Sequence, residues 1–435
     1  MTLLELIKIT KGKIISGEKQ NKELGKICID SRIIEKNDIF IAIKGNNTDG
    51  NNYIKDVINN ASVIITTKKI KMNHKTPIIK VKNIKKAIIK IGKCNRKKYI
   101  SKPLIAITGS VGKTTTKELI SEIFKTKYNI LKTKGNYNND IGVPLMLSQI
   151  TDKHDIIILE LGMNHLKEIK RLSKICKPTT SIITNIGTSH IGNLKTQKNI
   201  LKAKLEIIKG MKNGILIVNG SDKYLGKIRN NKNYNILKTN QKNVNNIIIN
   251  DKLNFNIIIN NKTKTIKFDI PNKYLIENIL LAIEVSKLYQ IPVNNIIKQI
   301  NNFKPLNKRS NIINLKNNIT LIDDCYNASL ESIKSSLSLL ENINKEKIAI
   351  IGDVLELGAH SKKIHKQIEQ ELLKIKNLNI ITVGKNTKVI KSGTHFNTNN
   401  EVINYLKTKN LSNKAILIKG SRGMHLEEIK EFIDN

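Results

Sequence analysis

The segment Ile105-Ala-Ile-Thr-Gly-Ser-Val-Gly-Lys-Thr-Thr-Thr116 carries the residue types that hold phosphate, at the spacing phosphate binding needs. An apolar run enters a glycine-bearing turn, and a helical pattern over Lys117–Lys125 leaves it. Gly109 and Gly112 free the backbone around Ser110 and Val111 to close N–H groups on phosphate oxygens. A helix N-terminus adds its dipole, Lys113 a point charge, and Thr114, followed by Thr115, a hydroxyl suited to Mg2+. The strict pattern places a further glycine five residues before Gly112, where this chain has Ile107, so the motif reads T-G-x-x-G-K-T-T. Nucleotide phosphate binding is the expectation. The loop alone does not say what the phosphate is spent on.

Polar groups follow at the ends of two later apolar runs. Ile156–Leu159 ends in Glu160, and a carboxylate at the carboxyl end of a parallel strand lies where open α/β sheets bind ligands and Mg2+. In isolation Glu160 is equally a strand-end acid in a surface loop. The run Thr184-Asn-Ile-Gly-Thr-Ser-His190 again sets polar groups at a strand terminus, though a lone histidine there is more often simply satisfied or exposed. Lys204, in Lys202-Ala-Lys-Leu-Glu206 on a helical pattern, is not singled out by its surroundings from the other lysines.

These groups need a scaffold, and the chain supplies one. Short apolar runs alternate with helical patterns, which signals an α/β fold with a largely parallel sheet. The runs are Ile39–Ile43, Leu104–Thr108, Ile156–Glu160, Ser181–Asn185 and Ile215–Asn219, then Ile319–Asp323, Ile348–Gly352, Ile380–Val383 and Ala415–Lys419. Two polar stretches suggest boundaries: the basic Lys93–Lys102, followed by Pro103, and Asn301–Lys308, which contains Pro305. Three domains result, over residues 1–101, 102–309 and 310–435. The Asn/Lys-rich stretch Lys223–Lys267, with strands at Ile247–Asn250 and Phe255–Ile259, reads as a β-rich edge of the middle domain.

Composition removes several function classes. The 435 residues include 76 Lys and Arg against 35 Asp and Glu, a net charge of +41. That balance suggests a polyanion binder, yet only about 6 of the basic residues are Arg, aromatics are 4% and Trp is absent. Phosphate and base readers favour the bidentate Arg fork, and single-strand binders need stacking aromatics. With roughly 58 Asn spread along the chain, the Lys surplus reads as compositional background, and no nucleic-acid partner is expected. No apolar run approaches the ~18–20 residues of a membrane helix, and the start, Met-Thr-Leu-Leu-Glu-Leu-Ile-Lys, lacks a signal-peptide core, so a cytoplasmic protein without membrane insertion is expected. Cys28, Cys94, Cys176 and Cys325 lie far apart without a CxxC pair, which fits small core residues in a reduced protein.

Taken together, the motifs resemble those of the Mur ligases, ATP-dependent amide-forming enzymes of peptidoglycan precursor synthesis, over nearly the whole chain. Thr108–Thr115 resembles the family's phosphate loop, and Gly135-Asn-Tyr-Asn-Asn-Asp-Ile-Gly-Val-Pro144 resembles the segment lining the muramoyl-peptide site, with Asn138 and Asn139 in it. Glu160 matches the family's metal-binding acid, His190 the histidine of a second Mg2+, and Lys204 the position of a carbamylated lysine. Glu277-Asn-Ile-Leu-Leu-Ala282 is similar to the family's Asn-x-x-x-Ala helix, which implies Asn278 at the adenine. Arg309, preceded by Lys308 where the family has glycine, matches an arginine at the nucleotide phosphates. Asp323-Asp-Cys-Tyr-Asn-Ala-Ser329 implies Asp324 at the nucleotide, with Tyr326 and Asn327 at nucleotide or amine.

Two segments resemble the branch of the family that adds D-alanyl-D-alanine. They are Gly352-Asp-Val-Leu-Glu-Leu-Gly358, with Glu356, and Lys419-Gly-Ser-Arg422, with Ser421 and Arg422. The arginine-bearing D-N-P-R type motif of the branch that adds the third residue is not found. Near the start, Asp30-Ser-Arg32 and Thr48-Asp-Gly50 resemble the UDP-binding part, which implies Ser31 and Arg32 as contacts; Asn51 stands where the family often has histidine.

The resemblance implies a three-domain Mur ligase architecture, with a central P-loop ATPase-like domain and a Rossmann-like C-terminal domain, acting as a monomer. It implies ATP, two Mg2+ ions, UDP-N-acetylmuramoyl-tripeptide and D-alanyl-D-alanine, an acyl-phosphate intermediate, and closure of the C-terminal domain about a hinge near Arg309. A sibling carboxylate–amine ligase, another Mur ligase or one like folylpolyglutamate synthase, is an alternative. A P-loop ATPase acting as a nucleic-acid-binding module is another.

Overall fold

The computed structural model describes residues 1–19, 23–45, 48–70, 72–230, 234–250, 252–304 and 311–434. Arg309 and Lys308, with the proposed boundary between 309 and 310, lie outside the described residues.

Isoleucine-rich runs become strands because their branched side chains suit a surface covered on both faces. The central sheet runs Tyr234–Lys238, Gly214–Val218, Thr180–Ile183, Leu104–Thr108, Ile156–Glu160, Ile130–Lys132 from edge to edge, with every pairing parallel. Leu104–Thr108 is buried along its whole length, and its carboxyl end delivers the phosphate loop at the point where the strand order reverses. Glu160 closes the neighbouring strand in register with Ile107.

The C-terminal sheet is also six-stranded, ordered Asn311–Asn314, Thr320–Asp324, Lys414–Lys419, Glu346–Gly352, Leu378–Val383, Thr394–Phe396. All its pairings are parallel except that of the first, edge strand. The N-terminal sheet has five strands, Lys13–Ser16, Ile78–Lys80, Val63–Thr66, Ile39–Ile41 and Ile27–Cys28, with the first antiparallel. One apolar cluster runs from Tyr99 through the central sheet to Leu417, so the central and C-terminal sheets share buried side chains.

The structure redraws four expectations. The helix after the phosphate loop starts at Lys113, not Lys117, because Gly112 takes the left-handed conformation (φ +80°) and caps Lys113–Phe124. The basic stretch Lys93–Lys102 is not a linker throughout, since its first half finishes the helix Ile84–Lys98. There Arg96 is buried and donates to the carbonyls of Cys176 (2.7 Å), Tyr99 (2.7 Å), Lys102 (3.0 Å) and Lys177 (3.2 Å). The stretch Lys223–Lys267 divides in two. Tyr234–Lys238 is the edge of the central sheet, while Val244–Ile249, Leu253–Ile259 and Lys262–Phe268 form a separate antiparallel sheet whose inner residues, Phe255 and Phe268 among them, join the core. Lastly, Cys28, Cys176 and Cys325 are buried as expected, but Cys94 is exposed on its helix. No helix among the described residues is long and apolar enough to cross a membrane.

Candidate active site

The phosphate loop is held open by its neighbours. Thr184 Oγ1 donates to the Val111 carbonyl at 2.5 Å, and a side chain on Gly109 would place its Cβ 1.7 Å from that same hydroxyl oxygen. Asn185 Oδ1 accepts from the N–H groups of Ser110 (3.1 Å) and Val111 (3.0 Å), and Ser110 Oγ accepts from the Gly187 N–H at 2.9 Å. A Cβ on Gly112 would come 2.5 Å from Asn278 Oδ1, which in turn accepts from Thr116 Oγ1 at 3.2 Å. Asn278 therefore stands beside the loop. Lys113 curls over the loop, with Nζ donating to the carbonyls of Gly109 (2.6 Å) and Ser110 (3.2 Å).

Glu160 is the carboxylate next to the phosphate-loop helix. Its Oε2 accepts from Thr114 Oγ1 at 3.2 Å. Its Oε1 is buried without a hydrogen-bond partner, with Lys117 Nζ at 3.4 Å as an ion pair only. A strand-end carboxylate with one unsatisfied oxygen beside a threonine hydroxyl is a donor set suited to a hard cation such as Mg2+. Lys117, one helical turn after Lys113, is itself buried, paired with Glu118 at 2.7 Å and donating to the Thr133 carbonyl at 2.9 Å. The sequence signal for it was available: it lies on the same helix face as Lys113.

Lys204 is buried in the helix Gln197–Leu205 and lines the same cavity. Burial pushes its ammonium well below the usual lysine range, and the charge of Lys113 pushes the same way against an opposing pull from Glu331. His190, left-handed at φ +63°, meets Glu356 across the gap between the central and C-terminal sheets, Nδ1 to Oε2 at 2.8 Å. That contact holds the Glu356 carboxyl below the ordinary range despite partial burial.

The C-terminal sheet presents two strand ends that interlock. Gly420 lies against Gly352, with room for no side chain: a Cβ would come 3.1 Å from the Gly352 Cα. Ser421 donates its N–H to the Asp353 carbonyl (3.0 Å) and accepts at Oγ from the Leu355 N–H (2.9 Å). Lys419 is buried in an ion pair with Asp324 and donates to the Asn327 carbonyl at 3.2 Å, while Ser336 Oγ donates to Asp324 at 2.6 Å. The Arg422 guanidinium lies 5.4 Å from the Tyr326 ring centroid.

One cavity of about 800 Å³ gathers these groups: Gly109–Lys113 and Thr115 of the phosphate loop, Glu160, His190, Lys204, Asn278, Asn138 and Asn139, Asp324, Tyr326, Asn327 and Lys419 line it, while Thr114 is buried outside the lining against Glu160. Asn139 Oδ1 caps the helix Gly142–Ser148 by accepting from Ile141 (3.0 Å) and Gly142 (2.9 Å), so part of its role there is structural. Outside the lining stand Glu356, Ser421 and Arg422, which support the wall, and Ser31 and Arg32, on a turn of the N-terminal sheet. Arg32 is exposed and paired with Asp30 (2.9 and 2.7 Å), whose carboxyl it holds down at about 2. Asn51 donates from Nδ2 to Asp49 at 2.6 Å and accepts from Thr66 Oγ1 at 2.5 Å, so it ties its turn to the sheet. Sequence reasoning missed Lys117 and Asn185, each near a motif, and Glu331, which no motif marks.

Comparison with known proteins agrees with this geometry. The Mur ligase middle domain matches residues 107–286, and the Mur ligase glutamate ligase domain matches residues 308–422. The UDP-N-acetylmuramoyl-tripeptide–D-alanyl-D-alanine ligase of Buchnera aphidicola subsp. Baizongia pistaciae is 33% identical, over 99% of this chain and 97% of its own. Its counterpart in Rickettsia prowazekii is 32% identical over 94% of each chain. Among solved structures, MurF from Acinetobacter baumannii superposes with a TM-score of 0.88 at 28% identity, covering 100% of this chain and 99% of that one. MurF from Thermotoga maritima in complex with ADP gives 0.80 at 25% identity, over 94% and 97%. Folylpolyglutamate synthase from Mycobacterium tuberculosis, at 10% identity and a TM-score of 0.61 over 79% of this chain and 95% of its own, shares the fold alone. The chain belongs to the Mur ligase family of ATP-dependent ligases.

Proposed function

We infer that the chain joins D-alanyl-D-alanine to UDP-N-acetylmuramoyl-tripeptide in peptidoglycan precursor synthesis, using ATP and Mg2+. The observation that carries this reading is convergence. Phosphate loop, strand-end acid and buried lysine meet, on one cavity, Asp324, Tyr326, Asn327 and Lys419 of the C-terminal sheet unit, with Ser421 and Leu355 tied together behind that wall.

The terminal carboxylate of the tripeptide attacks the γ-phosphorus of ATP, giving an acyl phosphate and ADP. The dipeptide amine then attacks the acyl carbon, and phosphate leaves. Bringing two polyanions together is the chief barrier for the protein to lower, and positioned cations and N–H donors lower it without a side-chain nucleophile. The N–H groups of Ser110 and Val111 exchange Asn185 Oδ1 for phosphate oxygens, and Lys113 exchanges its two loop carbonyls for phosphate. Thr114 and Glu160, and at a second position His190 and Lys204, would hold Mg2+, which when bound would supply charge neutralisation at the transferring phosphoryl group.

Lys204 fits this role as a carbamate. Its depressed pKa keeps an amine available to CO2, and the product is an anionic, two-oxygen ligand for a hard cation. Asn278, Asp324 and Arg309 are assigned to the nucleotide, Ser31 and Arg32 to the UDP group, and Asn138 and Asn139 to the muramoyl peptide. Tyr326, Asn327, Lys419, Ser421 and Arg422 are assigned to the amine side, where Glu356 acts by orienting His190. The division into 1–101, 102–309 and 310–435 assigns one substrate group to each part, in the cytoplasm where ATP is supplied.

The test is ADP release from ATP with UDP-N-acetylmuramoyl-tripeptide, with and without D-alanyl-D-alanine. Stimulation by the dipeptide is expected; turnover indifferent to it overturns the reading.

A further inference from the structure

We propose that Glu331 receives the ammonium group of the amine substrate and takes its proton, so that a neutral amine attacks the acyl phosphate. This rests on the ligase reading above. An α-ammonium group, with a pKa of about 8, arrives largely protonated and has no lone pair to attack with. A carboxylate near the reacting carbonyl answers that need.

The carboxylates of the cavity can be sorted by what already occupies them. Asp140 is taken by Lys85 (2.9 Å) and Arg171 (2.7 Å), and Asp324 by Lys419 and Ser336. Glu160 faces Thr114 and Lys117. Asp222 caps backbone N–H groups at Ile186, Tyr224 and Leu225, and Glu168 those at Asn164 and His165. Glu277 is set apart by place rather than by a partner: both its oxygens are buried without a hydrogen-bond donor, but it sits beside Asn278 near Ser221, Thr239 and Gln241, on the phosphate-loop side of the cavity.

Glu331 differs from all of these. It is the second residue of the helix Leu330–Glu341, whose start Ser329 and Ser332 fix with a reciprocal cap. A glutamate there ordinarily serves its own helix N-terminus. This one reaches across to the central sheet instead. Its Oε2 accepts from Thr188 Oγ1 at 3.0 Å, and a Cβ on Gly187 would come 2.5 Å from its Cδ, so a side chain at 187 would push the carboxylate from this position. Gly187 in turn binds Ser110 of the phosphate loop through its N–H at 2.9 Å. Lys204 feels the Glu331 charge from within the same cavity. Among the described residues Glu331 forms no ion pair, and Thr188 is its hydrogen-bond donor, so Oε1 is left for a substrate N–H. It thus joins an acceptor oxygen, contact with the phosphate-loop side, and an origin in the C-terminal sheet unit.

The step balances. The ammonium passes one proton to Glu331, and the freed lone pair forms the N–C bond. The C–O bond to phosphate breaks with its electron pair going to phosphate, which carries off the second nitrogen proton as hydrogen phosphate.

The experiment supplies two nucleophiles to Glu331→Gln with Mg–ATP and UDP-N-acetylmuramoyl-tripeptide. D-Alanyl-D-alanine needs deprotonation; hydroxylamine, already neutral at neutral pH, traps the acyl phosphate as a hydroxamate without a base. With the dipeptide, kcat/KM is expected to fall about 100-fold. Hydroxamate formation is expected to stay within about two-fold, which also shows that the variant is folded and binds metal, and Glu331→Asp should recover part of the dipeptide rate. Equal losses with both nucleophiles overturn the proposal by placing Glu331 in metal binding, acyl-phosphate formation or folding. Undiminished dipeptide turnover overturns it as well. If the wild-type chain forms no hydroxamate, the ligase reading itself falls.

Discussion

The two walls of the cavity are built by opposite means. The nucleotide wall is made by one contiguous loop, Gly109–Thr115, steadied by a second short run, Thr184–Gly187. The wall proposed for the amine is assembled, with its backing, from parts distant in the chain: Leu355 and Ser421, 66 residues apart, share a hydrogen bond behind it, and Asp324 and Lys419, 95 apart, share a buried ion pair in it. A contiguous loop puts its chemistry in reach of its own backbone, so its residues act locally and the fold does not depend on them. A wall assembled from strand ends uses the same residues for packing and for function.

The largest expected effect tests that separation on the loop side. Lys113→Ala should reduce turnover by about 1000-fold or more, since a cation aimed at the transferring phosphate is lost. The unfolding midpoint should stay close to that of the wild type, because Lys113 is half-buried and bonds to carbonyls of its own loop. A coincident loss of stability, read by denaturant unfolding, would break the comparison. Lys419→Met should do the reverse. It removes the buried lysine that pairs with Asp324, a change that costs about 3–5 kcal/mol at buried ion pairs, and should lower stability and activity together.

The same contrast explains what could be read from the chain. Five-residue apolar runs such as Leu104–Thr108 and Ile156–Glu160 are buried on both faces, so hydrophobicity alone located them to the residue. Lys113 and Thr114 were singled out by spacing, because loop and helix start are local features, whereas spacing left Glu160 as one of two equal readings until the resemblance favoured it. His190 and Lys204 were not: burial and the neighbouring Lys113 distinguish Lys204 from the other lysines, and neither is visible in sequence. Arg96 shows the same limit, since a basic run reads as a solvated linker until four carbonyls are seen to converge on one guanidinium. The amine wall was legible only as a resemblance, because no spacing rule links Gly352 to Gly420. Glu331 lay beyond both routes. Its meaning comes from Thr188 and Gly187 on another sheet.

An intermediate effect is expected where the walls touch. Glu356→Gln leaves the shape of the contact but removes the charge that fixes His190 through Nδ1. Partners that orient a ligating histidine typically matter by about 10- to 100-fold in metal affinity or activity. The apparent Mg2+ requirement should therefore rise within that range, with the ATP requirement at saturating Mg2+ little changed. Titration of activity and of Mn2+ binding against metal concentration measures it. An unchanged metal requirement would confine Glu356 to the amine wall and sharpen the division between the two sides.

The smallest effect concerns the charge of +41, which belongs to neither wall. The cavity is lined by lysines from separate elements, and burial pushes one of them, Lys204, well below the usual lysine range. The remaining lysines are spread over all the sheets, and many are paired locally, as in Lys68 with Asp49 and Lys374 with Glu371. A diffuse positive surface raises the local concentration of anionic substrates only within about a Debye length, about 10 Å at 0.1 M salt. The KM for the UDP-linked peptide should therefore rise by no more than about three-fold between low and physiological ionic strength, and that for the zwitterionic dipeptide should not move. Equal salt sensitivity in both would mean that the field acts on the folded cavity rather than on substrate capture, and would join what the two walls otherwise keep apart.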